Sequence, residues 1–182
     1  MKKILLIGFM VAVLIFPVAS WSLTITPDTT PKWTGTFLEN PDAARVAEIV
    51  GSGPLSLLYK QDVGAGSDEG SFAASYNTEF FNTPTDPQDA VITYVSGQPV
   101  ISVSPVYLLV KDGNHVPYWY VFALNSWNGT ETIDIIGFWP NRGAISHVSI
   151  FGGEGTQVPE PVSLILLGLG LIGIAGIKRK IS

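Results

Sequence analysis

The sequence predicts a mainly β protein: an antiparallel β-sandwich of about eight strands with one short helix, framed by an apolar helix at each end. Three observations carry this. From Leu55 onward the chain runs in stretches of four to eight strand-forming residues, separated by turns such as Lys111-Asp112-Gly113-Asn114 and Trp127-Asn128-Gly129, the rhythm of hairpin-connected strands. Only one segment, Asn40 to Gly51, carries helix start and stop signals, and no alternation of strands with helices suggests a parallel sheet. Both ends are unbroken apolar runs bounded by cations.

Residues 1–20 have the layout of a secretory signal peptide. Lys2-Lys3 precedes the apolar run Ile4 to Phe16, and small residues lead to a cut after Ser20. Thirteen apolar residues are too few to span a bilayer comfortably. Residues 21–157 then form one domain of 137 residues, enough for a real core. It holds five basic residues (Lys32, Arg45, Lys60, Lys111, Arg142) against fourteen acids, a formal charge of −9 (five minus fourteen). So acidic a surface repels phosphate backbones and anionic headgroups, which argues against nucleic acid as a partner. The chain has no cysteine, so neither disulfides nor thiolate metal sites hold it together.

Within the domain, Trp21 to Trp33 is rich in Thr and Pro and reads as an extended edge strand or arm. In the helix Asn40 is placed to cap, Pro41 suits the first position, Asp42 complements the dipole and Gly51 stops it. Strands are expected over Leu55 to Lys60, Ser71 to Asn82, Ala90 to Val95, Val100 to Val103, Val106 to Lys111, Tyr118 to Leu124, Glu131 to Ile136 and Ala144 to Phe151. Together they favour a two-sheet, jelly-roll-like sandwich.

Residues 158–182 form the most specific segment. Pro159-Glu160-Pro161 is followed by the uncharged apolar run 162–177 and then by Lys178, Arg179 and Lys180 in the tail 178–182. As a helix the run would be about 24 Å long at ~1.5 Å per residue, slightly short of a ~30 Å hydrocarbon core, and snorkelling cations make up the difference. The cations stop the span and keep its end cytoplasmic, which places residues 21–157 outside and agrees with the signal peptide. The two prolines hold Glu160 in an extended, exposed stretch at the outer boundary of the membrane.

Pro159-Glu160-Pro161, a short apolar helix and a terminal basic cluster, in that order, resemble the PEP-CTERM sorting signal. The resemblance implies an exosortase as processing partner, a transient anchor in the inner membrane, and delivery to the envelope, cell surface or extracellular matrix, in association with exopolysaccharide or biofilm. The nucleophile of that processing belongs to the sortase, so the resemblance requires no catalytic residue here. Tyr107 to Gly152, with Trp119-Tyr120, Trp127-Asn128-Gly129 and Gly137-Phe138-Trp139-Pro140, also resembles a block in small PEP-CTERM proteins of unassigned role, which implies a shared secreted domain and no site residues.

Candidate sites in the domain are few. Tyr118, Trp119, Tyr120, Trp127, Phe138 and Trp139 are a dense aromatic set. Rings beside Asn and Asp suit a sugar-binding face, because pyranose C–H faces pack on them. Alternation sends Trp119 to one face of its strand and Tyr118 and Tyr120 to the other. At least one set is expected in the core, with Trp127 and Trp139 the members expected to be exposed. His115 and His147 are the only histidines, so a zinc site would need a carboxylate such as Asp112 or Asp134 as third ligand. Both histidines are expected in structural or surface roles. Asp62, Asp68 and Glu69 in a Gly-rich loop offer oxygen ligands for a structural calcium, but their spacing departs from the EF-hand pattern, and no other cofactor is expected. No nucleophile elbow, phosphate loop, dinucleotide fingerprint or zinc-protease motif is present. The sequence therefore favours a non-enzymatic envelope or matrix protein, with a lectin-like glycan-binding module as the alternative and a secreted glycosidase behind it.

Overall fold

The structure, a computed structural model, describes residues 21–64, 68–82, 86–141 and 143–153. The signal segment 1–20 with its cut after Ser20, and the tail 158–182, lie outside the described residues. Among the described residues nine strands form two sheets, one more strand than the hairpin rhythm predicts. β1 (Ser22–Ile25), β8 (Thr132–Ile135), β5 (Asp89–Tyr94) and β4 (Tyr76–Phe81) lie in that order in one. β2 (Lys32–Gly35), β7 (Trp119–Ala123), β6 (Val106–Asp112), β9 (Ile145–Gly153) and β3 (Leu55–Asp62) make the other. All pairings are antiparallel except β1 with β8. The Thr/Pro-rich arm becomes two edge strands, one in each sheet, because the pair of prolines Pro27 and Pro31 interrupts pairing between them.

The inter-sheet core collects Ile25, Ile92, Ile133 and Ile135 from the first sheet against Leu108, Val110, Phe122, Val148 and Ile150 from the second. A register shift between Leu57 and Tyr59 lets consecutive residues Leu58 and Tyr59 both enter it. The helix α1 (Ala43–Val50) covers the outer face of the five-stranded sheet, where Val46 and Ala47 pack with Tyr107, Leu109, Trp119, Val121 and Phe151. All seven residues of β6 are therefore buried, which is why Val106 to Val110 reads as an uninterrupted apolar run. On the four-stranded sheet the outward positions Ser22, Thr24, Asn77 and Glu79 are exposed.

Three local expectations are corrected. The helix cap is Asp42, whose carboxylate accepts the Arg45 N–H at 2.8 Å, so the helix begins at Ala43 and Asn40 lies outside it. Gly51 does end it, in the left-handed region at φ 68°. The expected strand Val100 to Val103 pairs with no sheet; the Ile101 N–H donates instead to the Tyr76 hydroxyl at 3.0 Å, and Ile101 plugs the core at 2% exposure. The front of the expected strand Ser71 to Asn82 is a 3-10 turn, Ala73–Ser75, leaving β4 to start at Tyr76.

Candidate functional site

Strand alternation should place the polar residues of β9 outward, in water. Packing overrides this at one end of the five-stranded sheet. There the register aligns Gly35, Trp119, Lys111, His147 and Asp62 across all five strands. Trp119, Lys111 and His147 are 4–7% exposed there. The Lys111 ammonium donates to the Asp112 carbonyl oxygen at 2.8 Å, and burial lowers its pKa against the opposing charge of Asp112. Trp119 Nε1–H is buried with no hydrogen-bond partner among the described residues.

β3 and β9 continue the face as three cross-strand pairs: Leu57 with Phe151, Lys60 with Ser149, and Asp62 with His147. With Asn40, Asp42 and Glu69 they border a hollow of about 190 Å³ at the start of α1. Pro41, Ala43, Leu57 and Phe151 supply carbon to its lining, and the other residues supply polar groups. Lys60 Nζ lies 2.8 Å from Asp62 Oδ2 and 3.4 Å from Glu69 Oε1. Burial pulls the Lys60 pKa down, but the hydrogen bond and charge of Asp62, joined by Glu69, outweigh it and raise the value. His147 Nδ1 lies 3.6 Å from Asp62 Oδ1 and 3.5 Å from Ser146 Oγ. Burial pushes its pKa down to about 4, with Lys60 and Lys111 acting in the same direction against Asp62, so the imidazole is neutral near pH 7.

A second hollow, of about 680 Å³, opens among Asp86, Asp112, Asn114, His115, Gly143 and Ser146. The Asp112 carboxylate organises it, accepting the N–H groups of Asn114, His115 (3.1 Å) and Ala144 (2.8 Å). His115 Nδ1 is 3.5 Å from Asp112 Oδ2 yet makes no hydrogen bond among the described residues. Asp112 is thus a loop organiser whose capacity is spent on backbone.

The residues singled out by sequence are distributed differently. Trp127 and Trp139, expected to be exposed, are 9% and 6% exposed, and this expectation is corrected. Their indole N–H groups donate inward, Trp127 to the Glu131 carbonyl oxygen at 2.7 Å and Trp139 to that of Pro117 at 2.9 Å. A buried indole with its donor satisfied is core. Trp139 packs with Tyr120 and Phe138, and Trp127 with Tyr76. Alternation is upheld at Trp119 and Tyr120, which join the helix-covered cluster and the inter-sheet core respectively. Tyr118, which precedes β7, packs with the cluster of Trp119 and not on the face of Tyr120, and that expectation is corrected. His115 and His147 sit beside different aspartates, and no three His, Asp or Glu residues gather as a metal site among the described residues. Of the acids weighed for calcium, Asp62 and Glu69 converge on the Lys60 ammonium, while burial raises the Asp68 pKa. Lys60, Ser149 and Phe151 were not legible as a site, because cross-strand register alone brings them together.

A β-sandwich whose last described strand ends at Gly153, a few residues ahead of an apolar tail with terminal cations, has the organisation of an exported protein processed at its C-terminal end. Residues 157–180 match the PEP-CTERM protein-sorting motif, so the chain carries a PEP-CTERM sorting signal, which implies an exported protein with a membrane-anchored precursor that an exosortase processes. No curated protein and no solved structure matches the chain.

Proposed function

We propose that the released domain is a non-enzymatic component of the cell surface or extracellular matrix, held there by association with exopolysaccharide. The observation that carries this reading is the position of the sorting motif relative to the fold. β9 pairs with both β6 and β3 and ends at Gly153, upstream of Pro159. Cutting at Pro159-Glu160-Pro161 therefore removes none of the strands among the described residues, and the two-sheet sandwich they form is delivered intact. An acidic, cysteine-free domain that relies on packing alone suits a hydrated matrix.

The test is to follow wild-type protein in its producer and in a strain lacking exopolysaccharide. Cell association lost to the medium in the second strain is the expected result; equal retention in both would overturn the matrix reading. Intact mass tests the processing. Glu160→Ala, or deletion of Lys178 to Lys180, should leave protein with its tail attached, and a full tail on released wild-type protein would contradict the scheme. A glycan-binding module is the second reading, favoured by the hollow between α1 and β9 rather than by the tryptophans. Hydrolysis of the producer's polysaccharide by purified domain would replace both with a glycosidase.

A further inference from the structure

We propose that the hollow at the start of α1 holds a single neutral sugar ring, a terminal or branch residue of a polysaccharide. The proposal rests on the polysaccharide reading and gives it an address. Size comes first: about 190 Å³ is the share of roughly six waters at ~30 Å³ each, enough for one ring and too small for a run of several. The Leu57–Phe151 cross-strand pair lines it, and carbon there suits the C–H face of a pyranose.

The walls set the charge of the ligand. Lys60 is already matched by Asp62 and Glu69, so an anion would meet Asp42 and Glu69 without a free cation to receive it. A cation would meet Lys60. A neutral ligand that both donates and accepts is what remains, and hydroxyl groups do both. The Ser149 hydroxyl, the Asn40 amide and the Lys60 ammonium supply donors there, and Asp42 and Glu69 supply acceptors.

His147 adds a polar ring to the lining. The residue is 6% exposed and borders the cavity. Its Nδ1 side is taken up by Asp62 and Ser146. A neutral imidazole carries one donor and one acceptor nitrogen, so such a ring can pair with a hydroxyl in either sense.

The experiment titrates the tail-processed protein separately with glucose, galactose, mannose and N-acetylglucosamine while following the His147 and Phe151 ring signals by NMR. Expected is a saturable shift of both with at least one sugar, weakened about tenfold or more in Ser149→Val and in the surface variant Asn40→Ala. The Asn40 variant keeps the test valid if Ser149→Val fails to fold. No shift with any sugar overturns the proposal, as does a shift that both variants leave unchanged, or one produced equally by sodium sulfate. The matrix reading fails separately. If polysaccharide binds the domain but no sugar moves His147, the hollow is wrong and the reading stands. If a sugar binds the hollow but cell association ignores exopolysaccharide, the hollow stands and the reading falls.

Discussion

The hydroxyl of Tyr76, on the edge strand β4, donates to the carbonyl oxygen of Gly129 at 2.8 Å, 53 residues further along the chain. The Tyr76 hydroxyl oxygen in turn accepts the Ile101 N–H at 3.0 Å. One phenol thus satisfies two buried loops that no strand pairs. Gly129 sits at φ 85°, where a Cβ would come within 2.3 Å of the Ile101 carbonyl oxygen, so glycine is required for the approach. Tyr76→Phe strands both backbone groups at about 1–3 kcal/mol each. A loss of about 2–4 kcal/mol in urea unfolding is expected; a loss under about 0.5 kcal/mol would show that water replaces the phenol.

Gly35 faces the Trp119 ring across the β2–β7 pair, and a Cβ built there would lie 2.0 Å from Cε2 of the indole. Gly35→Ala should push the ring out of the helix-covered cluster at about 3 kcal/mol, the upper part of the usual overpacking range. Thermal unfolding checks it, and an unchanged midpoint would mean that the sheet edge yields freely.

Trp127 and Trp139 act as core, so Trp127→Ala and Trp139→Ala should each cost about 3–5 kcal/mol. Their fluorescence should be that of buried indoles and indifferent to added glycan. Stable, folded alanine variants that lose polysaccharide binding would restore the tryptophan face that burial rules against.

His147 predicts acid sensitivity. Its folded pKa is about 4 against a usual value of 6.5, so between these values the unfolded chain binds a proton that the native protein refuses. Stability is complete above pH ~6.5, falls as the pH drops towards ~4 and is flat for this group below that, by up to roughly 3 kcal/mol. Asp62, 3.6 Å away, favours the imidazolium and already offsets part of the burial in that value. Subtracting the pH profile of His147→Gln from that of the wild type isolates the contribution; a zero difference would mean that the ring is solvated.

Tyr59 and Tyr76 act at the other extreme. Burial pushes both phenols up to about 12, partly offset by hydrogen bonds to Thr78 and Ile101 respectively. The unfolded chain ionises them near pH 10, so stability present below that value is lost between roughly 10 and 12. Phenolate absorbance of these two residues should rise together with unfolding as judged by circular dichroism; ionisation well ahead of it would show that the rings reach solvent.

Much of the fold is legible locally. A two-sided strand such as β6 announces itself as a continuous apolar run, Gly51 stops α1 because it accepts a left-handed backbone, and Pro159-Glu160-Pro161 with its apolar run and cations carries the export logic in contiguous residues. Asp42 displaced Asn40 as cap because both side chains can do it, and only the geometry of the first turn chooses. Ile101 left the expected strand because its N–H found a phenol from a distant strand, which no local pattern encodes.

By itself, the sequence determined the sandwich class, the helix, the acidic surface and the sorting tail, since each rests on composition or on neighbours along the chain. Only the tertiary structure decided that Trp127 and Trp139 point inward and that Lys60, His147, Ser149 and Phe151 share one hollow. The reason is physical: alternation tells which residues share a strand face, but whether that face meets water, a second sheet or a helix depends on what folds over it.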